Sequence, residues 1–391
     1  MLDRTDFIPF AAPSIGEEEV AAATAVMRSG WLTTGPKARE FEAAFAAYLG
    51  GGEAIAVNSA TAGLHLGLES LGVGPGDAVV TTVYTFTATA EVIRYLGADP
   101  VFVDIDPDTL NISVQGLRDA LSRRRVKAII PVHFGGQACE MDEIVELARS
   151  HGAAIMSDAA HALPTTYRGR LVGALDDDIS VFSFYANKTL CTGEGGMVVT
   201  RNKALAERMR IMRLHGISRD VFDRFRSTKP AWYYEVVAPG FKYNMGDIAA
   251  AIGIEQLRKL EDMRRARQSI AERYLAALRA LPLKLPIVAR TDDLHAWHLF
   301  VIQLDLDRLR IDRDRFIESM SAAGIGTSVH YIPLHLHPYW RDTYALRAEQ
   351  FPVASAVYPR VVSLPIYPGM SDVAVGRVID AVRQILLDAS R

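Results

Sequence analysis

The sequence predicts an α/β protein: a large domain with a mostly parallel central sheet, followed by a smaller C-terminal α/β domain. Between residues 53 and 158, short apolar runs alternate with stretches of helical periodicity, and this alternation is typical of βαβ units. The chain has 391 residues, more than the roughly 250–300 at which a single hydrophobic core stops growing. We therefore expect two domains, residues 1–246 with two N-terminal helices and residues 247–391 with a linking helix.

Composition and charge indicate which kinds of molecule the protein is expected to bind. Hydrophobic residues make up 49% of the chain and charged residues 23%, as in ordinary soluble globular proteins. A formal net charge of −3 weighs against nucleic acid or an anionic membrane as the main partner. The N-terminus has no signal-peptide pattern, and no apolar run reaches membrane-spanning length. With only two cysteines, Cys139 and Cys191, the expected location is the cytoplasm.

Two helices are predicted before the first strand. The first spans residues 14–28, with Ser14 as its N-cap and acidic residues in its first turn. Gly35 and Pro36 interrupt the pattern, and a second helix over residues 38–48 ends at the glycines that follow it.

Apolar runs predict the strands of the central sheet, and helical stretches lie between them. The predicted strands are 54–57, 78–83, 101–103, 128–132, 153–157, 179–184 and 197–200. The predicted helices are 61–71, 87–96, 113–124, 141–150 and 204–214. Ligands on such sheets bind beyond the carboxyl ends of the strands, so we expect the functional site there.

Helical periods continue from residue 247 to about residue 281, and a helix of that length commonly bridges two domains. The elements predicted after it are strand 299–304, helix 312–323, strand 325–331 and helix 372–389. The loop over residues 334–340 carries His335 and His337 without a third ligand at a suitable spacing. We therefore expect no metal site.

Lys188 carries the strongest chemical signal, because it lies in a polar turn between two apolar strands. Burial lowers the pKa of a lysine, and a neutral amine attacks carbonyl groups. An earlier apolar strand ends at Asp158. A pyridoxal phosphate site requires this pair: the lysine forms the Schiff base, and the aspartate keeps the pyridinium nitrogen protonated. On composition alone, a solvated loop lysine is the alternative.

The motifs around these residues resemble the DegT/DnrJ/StrS family of sugar-nucleotide aminotransferases. They are D-A-A-H-A at 158–162, F-S-F-Y-A-N-K at 182–188 and G-E-G-G-M at 193–197. Further matching segments are W-L-T-T-G-P at 31–36, N-S-A-T-A-G-L-H at 58–65, F-K-Y-N-M-G-D-I at 241–248 and G-I-G-T-S-V-H-Y at 324–331. The resemblance therefore covers nearly the whole chain. It implies a fold-type I architecture, pyridoxal 5′-phosphate as cofactor, and Lys188 and Asp158 as catalytic residues.

Five residues are expected around the cofactor phosphate. Ala60, Thr61 and Ala62 open a helix directly after a strand, where N–H groups and the helix dipole favour a phosphate. An ordinary helix cap fits that motif equally well. The resemblance adds Ser183, and it implies that Asn244 reaches the phosphate of the partner subunit. The alternative for Asn244 is an N-cap of the following helix.

Two residues are expected at the cofactor ring. The resemblance implies that Phe86 stacks on the ring and that His161 contacts the ring hydroxyl. Without the resemblance, both would be read as core residues.

The resemblance also implies a homodimer with shared active sites, a nucleotide-sugar substrate and L-glutamate as the usual amino donor. Residues 215–220 and 239–253 look closer to members that make 4-amino sugars, so we expect a nucleoside-diphosphate 4-keto sugar in polysaccharide or glycan biosynthesis. A pyrophosphate-linked substrate needs cations or donors at the cleft mouth. The candidates are Arg213, His215, Arg219, Lys242, His330 and Tyr331.

Three alternatives remain at this point. They are a 3-keto sugar-nucleotide aminotransferase, an amino-acid aminotransferase of the same fold, and a non-catalytic regulator that kept the fold. Family members that dehydrate sugars carry histidine at the lysine position, so Lys188 counts against a dehydratase.

Overall fold

A seven-stranded sheet forms the centre of the computed structural model, which describes residues 7–218 and 233–391. Its strands are β1 (Glu53–Val57), β2 (Ala78–Thr82), β3 (Asp99–Val103), β4 (Ala128–Ile130), β5 (Ala154–Asp158), β8 (Ile179–Ser183) and β9 (Gly196–Thr200). The hairpin β6 (Thr166–Tyr167) and β7 (Arg170–Leu171) lies apart from it. A second sheet contains β10 (Leu283–Lys284), β11 (Phe300–Leu304) and β12 (Val361–Leu364).

The strand order of the large sheet is β1-β9-β8-β5-β4-β2-β3. The five strands from β3 to β8 are parallel, while β9 is antiparallel to both of its neighbours. The smaller sheet is antiparallel throughout. The predicted α/β class, with a mostly parallel sheet and a smaller C-terminal unit, is confirmed.

Helices cover the large sheet and flank the smaller one. They are α1 (Glu17–Ser29), α2 (Pro36–Tyr48), α3 (Ala60–Ser70), α4 (Ala88–Tyr95), α5 (Val114–Arg123), α6 (Met141–Ser150), α7 (Lys203–Met212), α8 (Asp247–Leu278), α9 (Arg313–Ala322), α10 (Pro338–Tyr344), α11 (Pro352–Val357) and α12 (Asp372–Asp388). None of these described helices is long and apolar enough to cross a membrane. The cytoplasmic location stays a prediction.

The predicted start of the first helix is wrong. Gly16 rather than Ser14 precedes α1, and the Gly16 N–H donates to the Glu19 carboxylate at 2.7 Å. The backbone oxygen of Ser14 instead accepts a hydrogen bond from Gln256 at 2.7 Å. Ser14 is therefore held by a tertiary contact and does not cap α1.

The predicted strand over residues 325–331 is also wrong, because the segment crosses between two elements instead of lying along one. Ile325 forms an isolated bridge with Ile8, and Ser328 forms another with Ser363. The predicted loop over 334–340 is partly helical, since α10 begins there with Pro338 in its first turn, a favourable position for proline.

Helix α3 lies very close to the sheet because two of its residues are glycines. A Cβ at Gly63 would come within 2.8 Å of Val181 and 2.9 Å of Val198, and one at Gly67 would come within 2.5 Å of Met156. The helix N-terminus is thereby brought to the carboxyl ends of the neighbouring strands.

Helix α8 contacts both parts of the molecule. Near its start, Gly253 packs so closely on Phe41 of α2 that a Cβ would lie 2.6 Å from the ring. Near its end, Ile270 and Tyr274 lie in the core of the smaller sheet. Ile8, from the N-terminal end of the chain, also packs in that core. The domain boundary between residues 246 and 247 stays a prediction.

Asp247 holds the start of α2 from a distant point in the sequence. Its carboxylate accepts hydrogen bonds from the N–H groups of Gly35 at 2.7 Å and of Lys37 and Ala38 at 3.0 Å. The side chain is buried. An anion at a helix N-terminus satisfies donors that have no partner within the helix and complements the helix dipole.

We expect Asp247→Ala to lower the free energy of unfolding by about 2 kcal/mol or more, because three backbone donors lose a charged acceptor. Asp247→Asn, which keeps one acceptor oxygen, should lose less. Asp372→Ala is the matched control, since Asp372 also begins a helix but its side chain is 97% exposed. Equal urea midpoints for Asp247→Ala and the control would contradict this capping role.

Candidate active site

The chemistry-bearing residues lie at the carboxyl edge of the large sheet. Strand β5 ends at Asp158, β8 leads into the turn that carries Lys188, β2 leads to Phe86, and β1 leads into α3. These four strands are parallel to one another, with β1 connected through antiparallel β9. Their carboxyl ends therefore meet at one edge.

Asp158 is only 6% exposed and is held by two donors. Its Oδ2 accepts from the Thr89 hydroxyl at 2.8 Å, and its Oδ1 accepts from the Ala160 N–H at 3.1 Å. Because the Thr89 proton points to the carboxylate, the Thr85 hydroxyl must donate to Thr89 across 2.9 Å. Burial raises the pKa of Asp158, while these hydrogen bonds and the charge on Lys188 oppose the rise.

Lys188 has the opposite shift. Burial lowers the pKa of its amine to about 8, and the negative charge on Asp158 limits the fall. Its turn is fixed by backbone hydrogen bonds from Lys188 N to Tyr185 O and from Thr192 N to Phe184 O. An amine with this pKa is neutral in about a tenth of molecules at pH 7, far more than an ordinary lysine, so it can act as a nucleophile or a base.

Three histidines surround Lys188. Burial lowers the pKa values of His161, His298 and His330, and the charge on Lys188 lowers each of them further. The pKa of His330 falls to about 4. All three are therefore neutral at neutral pH, and the cationic group among them is Lys188 itself.

The residues predicted to bind the cofactor phosphate lie close together where β8 ends and α3 begins. Ser183 of β8 pairs with Gly196 of β9, and a Cβ at Gly196 would lie 2.8 Å from the Ala60 nitrogen. Ala60 and Thr61 therefore open α3 beside Ser183. Ala62 differs from the expectation, because its N–H already donates to the Ser59 hydroxyl at 3.1 Å.

Asn244 lies beside the carboxyl end of β1, where it forms an isolated bridge with Val57. Its side chain donates to the Thr34 hydroxyl at 2.6 Å. The alternative role as an N-cap is wrong, because Gly246 is the residue that precedes α8. Asn244 and Thr34 also line a cavity of about 390 Å³ together with Arg39.

The side chain of Phe86 is exposed, although most of the segment after β2 is buried. It is 60% exposed, whereas the neighbouring Tyr84 and Ala88 are buried. Its ring lies 6.2 Å from that of Tyr331, which comes from the C-terminal part of the chain. The two rings form one wall of the candidate site.

His161 makes two hydrogen bonds within the protein. Its Nδ1 accepts from the Gly135 N–H at 3.3 Å, and its Nε2 lies 2.9 Å from the Tyr331 hydroxyl. His298 packs against it with ring centroids 4.3 Å apart. From the sequence, neither His298 nor Thr89 is assigned a site role.

The predicted substrate residues separate into two groups. His330 and Tyr331 lie at the site, and His330 Nδ1 is 2.8 Å from the Ser363 hydroxyl. His215 and Lys242 are exposed on the neighbouring segments, which meet in a bridge between Leu214 and Lys242. Arg219 lies outside the described residues.

Arg213 lines the same cavity as Thr34 and Asn244, but its side chain is buried and forms an ion pair with Glu42 of α2. It also donates to the Ala56 carbonyl of β1 at 2.9 Å. The Arg213 side chain therefore makes its ion pair and hydrogen bond inside the protein, and these contacts link the end of α7 to α2 and β1. Its expected role toward the substrate stays a prediction.

This set of groups fits pyridoxal 5′-phosphate. Lys188 would supply the amine and Asp158 the buried carboxylate for the ring nitrogen. The start of α3, with Ser183, would supply the donors for the phosphate. The exposed face of Phe86 provides the apolar surface on which an aromatic ring can stack. Among the described residues, no group of three or more histidine, cysteine, aspartate or glutamate side chains could hold a metal.

Comparison with known proteins places the chain among aminotransferases. The model of the DegT/DnrJ/EryC1/StrS aminotransferase family matches residues 13–383. The spore coat polysaccharide biosynthesis protein SpsC of Bacillus subtilis is 46% identical over 387 residues, which are 99% of each protein. These matches span the motifs that carry Lys188 and Asp158.

Two solved structures have the same fold over nearly their full length. The putative sugar aminotransferase Spr1654 from Streptococcus pneumoniae, in its PLP form, has a TM-score of 0.89 and 31% identity, covering 98% of this chain and 99% of its own. Helicobacter pylori PseC, an aminotransferase of pseudaminic acid biosynthesis, has a TM-score of 0.90 and 28% identity, covering 98% and 100%. The chain belongs to the DegT/DnrJ/EryC1/StrS family and is a pyridoxal phosphate-dependent aminotransferase of fold type I.

Proposed function

We propose that the protein transfers an amino group from L-glutamate to a nucleoside-diphosphate 4-keto sugar, in polysaccharide or glycan biosynthesis. The observation that carries the proposal is the pair of Lys188 and Asp158 at one sheet edge, with opposite pKa shifts. The relatives support a sugar substrate, since one serves spore coat polysaccharide synthesis and another is a putative sugar aminotransferase.

The bound cofactor supplies an electron sink, which stabilises negative charge on the carbon that loses a proton. The protein supplies the proton transfers. With the cofactor bound, Lys188 would hold it through Nζ, and after its release by the donor amine Nζ would accept and return the proton that is transferred. The Lys188 pKa of about 8 suits both accepting and releasing the proton, because a group that transfers protons works best when its pKa is near the working pH.

Asp158 stabilises the charge that develops in this step. Its buried carboxylate would hold the ring nitrogen of the bound cofactor and keep that nitrogen protonated. The hydrogen bonds from Thr89 and Ala160 favour the ionised form of the carboxylate. Phe86 would provide an apolar surface for the ring and exclude water from it.

The sugar substrate is proposed to enter beside Tyr331 and His330, toward the segments that carry His215 and Lys242. These groups supply donors and one exposed cation for a pyrophosphate. The choice of a 4-keto over a 3-keto sugar rests on the resemblance of residues 215–220 and 239–253 to members that make 4-amino sugars.

We infer that the active unit is a homodimer with shared sites. Helix α1 and the turn after it expose large apolar side chains, with Val20 50%, Met27 55% and Leu32 51% exposed. Exposed apolar patches of this kind mark interfaces. Asn244 lies near this turn through Thr34, and we propose that it reaches the cofactor phosphate of the partner.

The rival functions lack a supporting observation. A non-catalytic regulator would have no need of the Lys188–Asp158 pair. An amino-acid aminotransferase of the same fold would turn over small keto acids without a nucleotide sugar, and the substrate experiment below separates it.

The first prediction concerns the attachment of cofactor to the cofactor-free protein. Because only the neutral amine reacts, the rate should rise with pH and reach its midpoint near pH 8, where half of the Lys188 amines have lost their proton, rather than near 10.5. Asp158→Asn removes the charge that raises the pKa of Lys188, so its midpoint should lie at lower pH. A midpoint near 10.5 in both proteins would mean that Lys188 is solvated.

The second prediction concerns the substrate. We expect the aminated form of the enzyme to convert a nucleoside-diphosphate 4-keto sugar, with the new amine at C4 by NMR, and to leave the matched 3-keto sugar unchanged. Amination only at C3 would overturn the regiochemistry. Turnover of small keto acids with neither sugar would overturn the sugar assignment.

The third prediction concerns the dimer. If Asn244→Ala alone is impaired, mixing it with Lys188→Ala should restore activity, because one site of the mixed dimer then carries both native residues. Subunit exchange must be verified with two affinity tags. Verified exchange without recovery would place Asn244 in the site of its own chain.

A further inference from the structure

A single buried side chain, Gln256, joins the turn that carries Lys188 to the N-terminal part of the chain. Gln256 lies in α8 and is only 1% exposed. Its Oε1 accepts from the Cys191 N–H at 3.3 Å, three residues after Lys188. Its Nε2 donates to the Ser14 carbonyl at 2.7 Å and to the Glu19 carboxylate at 2.8 Å. Three segments that are far apart in the sequence therefore meet at one carboxamide.

The two ends of the Gln256 carboxamide cannot exchange places. A backbone carbonyl can only accept, so the NH2 group must face Ser14, and a backbone N–H can only donate, so the oxygen must face Cys191. Glu19 is buried and forms an ion pair with Lys259 at 2.5 Å. Although burial raises it, the pKa of Glu19 is lowered overall by the hydrogen bonds from Lys259, Gln256 and the backbone. Glu19 therefore stays ionised and fixes the same orientation of the amide.

Packing holds the two ends of the Lys188 turn. Phe184, where the turn begins, lies 5.3 Å from the ring of Phe41 in α2. At the other end, a Cβ at Gly195 would come within 2.8 Å of Met245. Both contacts lie at least four residues away from Lys188, so they fix the ends of the turn rather than its middle.

The middle of the turn depends on the contact with Gln256. Its own backbone hydrogen bonds are local, from Lys188 N to Tyr185 O at 2.9 Å and from Thr192 N to Phe184 O at 2.8 Å. Among the described residues, the bond from the Cys191 N–H to Gln256 is the one that joins residues 185–194 to an element other than the adjoining strands. A segment held only by local bonds opens more readily, so this contact restricts the turn.

We propose that Gln256 is a positioning residue for the amino-group transfer, and that it keeps the Lys188 amine in its buried position by holding the Cys191 N–H. The proposal rests on the proposed role of Lys188 as the residue that binds the cofactor. Burial lowers the pKa of the Lys188 amine to about 8. A turn that opened would expose the amine to water and return its pKa toward 10.5, the value of an ordinary lysine.

The charges near Gln256 are separate from those that act on Lys188. The titratable groups that face Lys188 are Asp158, His161, His298 and His330. Those around the Gln256 amide are Glu19, Lys259 and Cys191. Asp158 is the charge that acts on the pKa of Lys188. Removing the charge of Glu19 should therefore not shift that pKa by itself.

The test measures how fast the cofactor-free protein attaches pyridoxal 5′-phosphate at different pH values. Gln256→Met keeps the length of the side chain and removes both of its hydrogen-bonding ends. It should move the midpoint of the profile from about pH 8 to about pH 9, and so lower the rate at pH 7 about tenfold, because the neutral fraction falls tenfold. Hydrogen exchange at the Cys191 amide of the cofactor-free protein should become faster in the same variant.

Glu19→Ala is the matched control for lost stability. It removes the partner of Lys259 and should lower the urea midpoint of unfolding, but Ser14 still holds the NH2 group of Gln256, so the pH midpoint should stay near 8. Gln256→Glu keeps an oxygen for the Cys191 N–H, and a proton shared with the Glu19 carboxylate replaces the lost donor. It should attach the cofactor at close to the wild-type rate.

A second variant serves if Gln256→Met does not fold. The side chain of Gln256→Asn is one carbon shorter, so it cannot reach both Cys191 and Ser14 from the same place in α8. It should raise the pH midpoint in the same direction and speed exchange at the Cys191 amide.

Three results would overturn the proposal. A midpoint near pH 8 in the variant that lacks the contact, with or without faster exchange at Cys191, would show that the Lys188 amine stays buried without Gln256. An equal rise in Glu19→Ala would show that lost stability alone moves the midpoint. Attachment as slow in Gln256→Glu as in Gln256→Met would exclude the oxygen that faces Cys191 as the cause.

Failure of the proposed function would look different. In that case the wild-type protein itself would not attach the cofactor at Lys188, whatever residue stands at position 256.

Discussion

The structure depends on one electrostatic constraint: an amine and a carboxylate must share a buried space while both remain able to react. Burial lowers the pKa of Lys188 to about 8 and raises that of Asp158. Each charge opposes the shift of the other, and the hydrogen bonds from Thr89 and Ala160 also favour the ionised form of Asp158. Neither group would have the protonation state that the chemistry needs if it were buried alone.

The fold meets this constraint by bringing strand ends and a helix start to one place. Gly63 and Gly67 let α3 lie directly on the sheet, and Gly196 lets β9 pass against the first residue of α3. The C-terminal segment then closes the site from the other side through Tyr331 and its hydrogen bond to His161. At each of these places a small residue or a single hydrogen bond permits the close approach.

Much of this architecture could be predicted from the sequence, because period-2 and period-3.6 patterns report burial directly. Lys188 and Asp158 could be found because each follows a recognisable strand. Arg213 could not be assigned, since a sequence does not reveal that Glu42 accepts its charge inside the protein. Thr89 and His298 were missed because their contacts with Asp158 and His161 depend on how separate elements pack. The segment over 325–331 failed as a strand because its bridges go to two different partners.

The central claim, that Lys188 is the residue that holds the cofactor, is tested most directly by reducing the cofactor-loaded enzyme with borohydride. The reduction makes the lysine linkage permanent, and peptide mass spectrometry then identifies the labelled residue. We expect a pyridoxyl group on Lys188, and none on the reduced Lys188→Ala protein. A label on Lys242, or no label on protein saturated with cofactor, would contradict it.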